Sequence, residues 1–202
     1  MKRTLIAAVL LTGLVAVQAQ ERLSREEALK YAFFTSVDLK EMLQTPIPTD
    51  PDVKRPVAMR DGEQHGGMIL PEAKLSADTF AKAGKEVTSV GQLWLVKLAP
   101  MNEGEAVSKA KPRMVHVRAG DQEADAACCA LGVRKDADRG LELLIYGKDK
   151  EPLTRVPIKP ISGQQDDPID LSCERQDDKA LVTLKFLGKH AATFAVTEPW
   201  DY

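Results

Sequence analysis

Short apolar runs alternate with turn residues from about residue 86 onward, at spacings of roughly eight to twelve residues, the pattern of strands in a sandwich or barrel. Gln92–Leu98 is apolar on both faces and reads as a central strand. Arg113–Arg118 alternates, with Val115 and Val117 expected inward. Ala126–Arg134 sets Cys129, Leu131 and Val133 on one face. Leu141–Tyr146 and Leu153–Ile158 flank the turn Gly147-Lys148-Asp149-Lys150. Ile169, Leu171 and Cys173 share a face, as do Val182, Leu184 and Phe186, and Ala192, Phe194 and Val196. Gln176-Asp177-Asp178-Lys179 reads as a turn. Gly188-Lys189 reads as a two-residue type II′ hairpin loop, because glycine in its first position matches the strand twist.

Ahead of this region the period changes. Residues 21–44 predict a helix. Ser24-Arg25-Glu26-Glu27 is a capping box, with the serine hydroxyl and the Glu27 carboxylate satisfying each other's backbone N–H. Ala28, Tyr31, Ala32, Val37, Leu39, Met42 and Leu43 form its apolar stripe, and Pro46 and Pro48 end it. Such a stripe packs on the domain behind it. Residues 45–67 hold Pro46, Pro48, Pro51, Pro56, Gly62, Gly66 and Gly67 among many charges and read as a linker or extended surface loop. A short helix is expected over 77–83, capped by Ser76 and stopped by Gly84.

The first residues change the picture of where the chain works. Lys2 and Arg3 precede an apolar run from Leu5 to Val17, and Val17-Gln18-Ala19 sets small residues at the −3 and −1 positions of a signal-peptidase site. The run is too short to span a bilayer, and no later run reaches the roughly 20 apolar residues a membrane helix needs. The expectation is an exported chain, periplasmic or secreted, with its mature start at Gln20. The organisation is then a signal peptide over 1–19, a helical segment over 20–44, a Pro/Gly-rich connection over 45–85 and a β-sandwich over 86–202. Removing Lys2 and Arg3 takes the net charge from −2 to about −4. The charges are interspersed with no basic stripe, which argues against nucleic acid as a partner. Aromatic residues are sparse, although Trp94, Trp200 and Tyr202 remain for a carbohydrate platform.

Eight or so strands over about 110 residues, closed by a hairpin, resemble the immunoglobulin-like β-sandwiches of secreted bacterial proteins. The resemblance lies in strand number and spacing over residues 86–198. It implies a mainly β chain with an N-terminal helix, built as an antiparallel immunoglobulin-like β-sandwich. It carries no site residue over, since Trp94 precedes the cysteines instead of lying between two of them.

Three constellations carry candidate chemistry. The cysteines are Cys128, Cys129 and Cys173, an odd count for an oxidising compartment. Strand alternation turns Cys129 and Cys173 inward and Cys128 outward. That predicts a Cys129–Cys173 disulfide, worth on the order of 4 kcal/mol for a loop of about 45 residues. Cys128 would be left over, either to join two protomers or as an inert thiol under a loop. A vicinal Cys128–Cys129 bridge, or a bulge that exchanges the two, is the alternative. The second constellation is a soft metal site: Met114 and His116 lie two apart on one strand face, His65 and Met68 offer a similar pair, and Cys128 would add a thiolate, a set suited to copper. Filler methionine is the plain alternative. The third is the acidic run Asp166-Asp167-Pro168-Ile169-Asp170, a calcium candidate without the EF-hand pattern, which reads equally as a solvated turn. The chain has no GxSxG, HExxH, Walker or GxGxxG motif, and His190 is expected exposed after its hairpin turn.

The function expected from these features is a non-enzymatic binding or assembly protein of the envelope, cell surface or a pilus, acting on a protein partner or on a second copy of itself. Two alternatives are a periplasmic copper-binding protein using Met114, His116, Cys128 and His65, and a hydrolase with a pair of carboxylates.

Overall fold

The computed structural model describes residues 20–38, 46–62, 64–119 and 122–198. The chain opens with β1 (Glu21–Arg22), α1 (Arg25–Asp38), β2 (Val57–Asp61), β3 (His65–Pro71), α2 (Ala77–Ala81) and β4 (Thr88–Val96). It continues with β5 (Ala99–Asn102), β6 (Glu105–Ala106), β7 (Arg113–Ala119), β8 (Gln122–Asp136), β9 (Gly140–Tyr146) and β10 (Pro152–Pro157). It closes with β11 (Lys159–Pro160), β12 (Ile169–Gln176), β13 (Lys179–Phe186) and β14 (His190–Thr197). The protein is mainly β, with two short helices among the described residues.

The strands form two antiparallel sheets packed as a sandwich. The larger runs β1-β2-β3-β4-β8-β9-β10, with β7 also paired to β8; the smaller runs β12-β13-β14-β5-β6, with β11 paired to β14. The long β8 explains the side branch. Its first half pairs with β7 (Val115↔Ala126, Val117↔Ala124) and its second half with β9 (Leu131↔Ile145, Val133↔Leu143), so β7 and β9 lie end to end along one side of it.

Alternation supplies the core, because successive side chains of a strand point to opposite faces. Leu93 and Leu95 of β4, Cys129, Leu131 and Val133 of β8, and Leu143 and Ile145 of β9 meet Ile169, Leu171, Val182, Leu184, Phe186, Phe194 and Val196 of the smaller sheet. Phe80 of α2 closes one end, 5.3 Å from Phe186 between ring centroids and stacked on His190 at 4.7 Å. His190 is therefore half-buried, not the exposed residue expected, and burial, with help from Lys189, holds its pKa below the ordinary range.

The outer face of the larger sheet is apolar too, and the N-terminal third of the chain covers it. α1 is built as the capping box predicts: Glu27 N–H donates to Ser24 Oγ at 3.3 Å, and Ser24 N–H donates to the Glu27 carboxylate at 3.1 Å. It is shorter than expected at its start, where Glu21 and Arg22 pair with β2 instead. The expected stretch 39–44 lies outside the described residues. Ala28 and Ala32 face the sheet one turn apart, small enough for close approach to Ala58, Met68, Trp94, Ala126 and Cys128. Further along, Ile47 and Val87 cover Ala130, Leu144 and Tyr146. Between these patches Gln92 Nε2 donates to Thr49 Oγ1 at 2.8 Å, and Trp94 Nε1 donates to Gln92 Oε1 at 3.3 Å, all three side chains being buried.

Several expectations change. Residues 57–71, read as part of a connection, form the β2–β3 hairpin inside the larger sheet. The prolines that suggested a loop end at Pro56, and Gly66 and Gly67 sit within a paired strand. Val115 and Val117 do point to a covered face, but it is the one under α1; Met114 packs toward the intersheet core. The last hairpin turns on Leu187 and Gly188 instead of Gly188 and Lys189, with φ of 54° and 66° and Lys189 N–H donating to Phe186 O at 3.0 Å. Positive φ at both central residues is the type I′ requirement. Gly188 also sits where a Cβ would meet Gly163 O at 2.4 Å, so no other residue fits there. The Asp177-Asp178 turn and the short α2 are found where the pattern put them.

Candidate functional site

Two clefts lie on either side of the β2–β3 hairpin. The larger, about 860 Å³, opens on the outer face of the larger sheet beside α1. It exists because of side-chain size. Gly66 of β3 and Ala124 and Ala126 of β8 put almost nothing on that face, while Met68, Trp94 and Val96 stand up around them. Tyr31 and Thr35 of α1, Leu23, and Val117 of β7, which lies under α1, wall the cleft. Arg60, Gln64, Lys97 and Glu123 supply a mixed-charge rim. The volume falls in the usual range for ligand sites, roughly 300–1,000 Å³, with an apolar floor beneath a polar rim. The Thr49–Gln92–Trp94 chain fixes the indole that walls the groove. Next to Val117 the sheet ends: β7 pairs with β8 on one side and with no described strand on the other.

The smaller cleft, about 70 Å³, is the mouth of the sandwich. Its throat is apolar, from Met59, Leu93 and Leu95 on one sheet and Leu171, Val182 and Val196 on the other. Its rim is charged. Arg175 Nη1 lies 3.6 Å from Asp61 Oδ2, and His65 Nε2 lies 3.2 Å from Glu198 Oε1. Asp177, Asp178 and Lys179 complete the rim, and Gln20 reaches in to hydrogen-bond the Cys173 thiol. Half-burial raises the Cys173 pKa, with the Asp61 charge adding to this and the Gln20 bond opposing it.

The expected sites fare differently. Cys128, Cys129 and Cys173 are all free thiols. Cys129 and Cys173 do face the intersheet core, as alternation required, but the expected Cys129–Cys173 disulfide is not formed. Cys128 points away from them and is not exposed: it is buried under α1, so it has no access to a second protomer. Burial pushes Cys129 up to about 12 and Cys128 well above its ordinary value, so neither is a ready thiolate.

The copper set is not assembled around one point. Register places Cys128 opposite Arg113 on the face under α1, whereas Met114 packs toward the intersheet core. His116 is exposed, with Nδ1 3.1 Å from Asp125 and Nε2 3.5 Å from Glu123. His65 is engaged with Glu198 at the mouth cleft. Among the described residues no group of three or more histidine, cysteine, aspartate or glutamate side chains is arranged to hold a metal ion. The acidic run is occupied by the chain itself, since Arg22 bridges Asp167, at 3.0 Å, and Asp170.

Sequence reasoning missed the groove. The signal was present as a row of small residues, Gly66, Ala124 and Ala126, on strands whose neighbouring same-face positions are Met68, Trp94 and Val96. Seeing it required the register of three strands. No protein-family model matches the chain, and neither a curated protein nor a solved structure matches it significantly.

Proposed function

We propose that the protein is an exported, non-enzymatic binding or assembly module that takes an extended segment of a partner polypeptide along the outer groove. The observation that carries this reading is the meeting of the groove with the open edge of β7. A strand added at such an edge gains main-chain hydrogen bonds, while pockets for alternate side chains supply selectivity. Here the groove floor at Ala124 and Ala126 lies directly across from Val117 and Val115 of β7. An incoming chain on that edge would set every second side chain over the covered face. The charged residues on the other face of β7, His116 and Arg118, are paired with Asp125 and Glu123, a common protection of an edge against promiscuous pairing.

The test is panning of a random-peptide library on the immobilised mature protein, with Ala124→Phe as the filled-groove control and Thr183→Lys, on the exposed face of the smaller sheet, as the remote control. Enriched peptides should alternate apolar and polar residues, bind the parent and the Thr183→Lys protein alike, and lose at least about tenfold in affinity on Ala124→Phe. Equal binding to parent and filled-groove proteins of matched thermal stability would refute the reading, as would a library that yields no binder. Self-association through β7 would appear as a dimer in native mass spectrometry and would name a second copy as the partner.

A further inference from the structure

The mouth cleft lies at the residue that follows the expected leader. Gln20 lines it, and its side chain reaches Cys173 on the facing sheet. β1 pairs Glu21 with Arg60 and Arg22 with Met59, so the same register one residue back sets Gln20 across from Asp61. Asp61, Asp177, Asp178 and Glu198 share the lining with three permanent cations, Arg60, Arg175 and Lys179, of which Arg60 is already paired with Glu21. The Arg22 clamp on Asp167 and Asp170 holds the strand in place immediately after Gln20. A cleft with this excess of carboxylates suits a positive charge at residue 20. The peptide N–H of the uncut chain carries none, but the terminus produced by leader removal after Ala19 does.

We propose that the amino terminus released at Gln20 docks in this cleft, its ammonium facing Asp61 and its side chain held on Cys173, and that docking suppresses cyclisation of the terminal glutamine. The inference rests on the leader reading. In the cyclisation the neutral α-amine attacks its own Cδ. The Nα–Cδ bond forms, the Cδ–Nε2 bond breaks, and Nε2 leaves as ammonia with the proton taken from the amine, leaving a neutral lactam. No oxidant or other reactant is needed. Two conditions must hold: the amine must be unprotonated, and the side chain must fold back on it. Asp61 opposes the first and Cys173 the second. Cyclisation would remove both the terminal charge and the amide that bonds the thiol.

The experiment follows the terminal residue of the exported, full mature protein by intact and peptide mass spectrometry during storage at mildly alkaline pH. A synthetic peptide of residues 20–28 serves as the undocked reference. The protein should begin at Gln20 and lose ammonia at least about tenfold more slowly than the peptide, the combined effect of one hydrogen bond and one ion pair. Cys173→Ala and Asp61→Asn should each recover part of the peptide's rate, and Cys173→Ser, which keeps a hydrogen-bonding atom, should stay near the parent. A parent that begins at Gln20 but cyclises as fast as the peptide overturns the docking and leaves the leader reading standing. A first residue other than Gln20 overturns both. The Cys173 pair of variants keeps the test intact if Asp61→Asn does not fold.

Discussion

Replacing Gln92 by methionine tests whether the polar chain on the outer face contributes to stability as the geometry implies. Methionine has nearly the same length and volume, so the change removes hydrogen bonds without opening a cavity. Gln92, Thr49 and Trp94 are only 2%, 6% and 2% exposed, so water does not readily replace what is lost. Two bonds disappear, the 2.8 Å bond to Thr49 and the 3.3 Å bond from Trp94. The indole N–H keeps no partner, since a thioether is a weak acceptor. A buried donor left unsatisfied costs about 1–3 kcal/mol, and losing the second bond adds about 1 kcal/mol. The more apolar side chain offsets part of this, so the expected loss is about 2–3 kcal/mol.

Thr49→Val strands only one amide hydrogen of Gln92 and should cost about 1–2 kcal/mol. In the double variant the Gln92–Thr49 bond can be lost only once. Its cost should fall short of the sum of the singles by about 1 kcal/mol, as expected of residues in one network. The assay is urea unfolding of the mature protein followed by far-UV circular dichroism. A Gln92→Met protein within about 0.5 kcal/mol of the parent, or strictly additive singles, would refute the reasoning. Because the same indole walls the groove, the variant should also weaken binding of any peptide selected on the parent, with the free edge of β7 unaltered.

Gly132→Ala should cost about 1–3 kcal/mol, because its methyl would lie 2.3 Å from Val87 Cγ1 and 3.0 Å from Ile47 Cδ1; Val87→Ala in the same chain should recover part of this in urea unfolding. Stability should fall as pH rises above 9.0, the ordinary cysteine value, toward about 12, because the unfolded chain gives up the Cys129 proton while the folded chain keeps it. The slope is about 1.4 kcal/mol per pH unit per buried thiol, and Cys129→Ala should flatten it in urea titrations across that range. Arg22→Ala should cost less than about 1 kcal/mol, since Arg22 is half exposed, and the loss should vanish in 1 M salt. In the folded protein a maleimide reagent should modify Cys173 well before Cys128 or Cys129, as read by peptide mass; prior labelling of Cys128 would contradict its place under α1.

What could be read from the sequence was what depends on local period. Ile169, Leu171 and Cys173, or Val182, Leu184 and Phe186, declare a buried face by alternation alone, and each does face the intersheet core. Ser24 and Glu27 declare a helix start because both bonds of the box span three residues. What could not be read depends on which faces are covered. β3 carries Gly66 on the groove floor and Gly67 against Leu95 and Leu171, both inside a paired strand, yet in a single sequence two glycines look like a loop. Parity puts Cys128 on the outer face, where it lies, but Val115, expected inward, shares that face, because parity says neither which face of β7 turns to the other sheet nor that α1 covers the outer one. The sequence pattern sets the hairpin one residue late because Gly188 suits both a I′ and a II′ turn, and only the Lys189 N–H to Phe186 O bond, with positive φ at Leu187 and Gly188, decides.

The segment before β4 is thus part of the fold rather than a tether in front of it. β1, β2 and β3 are half of the larger sheet's width beyond β4, and their outer faces, with Trp94 and Cys128, would be bare without α1. Leu144 and Tyr146 would be bare without Ile47. Burying a large apolar side chain contributes about 1.5–3 kcal/mol, so uncovering several of them costs more than a domain of this size can lose. The groove is what remains where this cover stops, at small residues beside an open strand edge. A fold selected only for stability would fill that gap with a leucine at Ala124. Leaving it empty forgoes burial beside the edge of β7, where the proposed partner strand would pair.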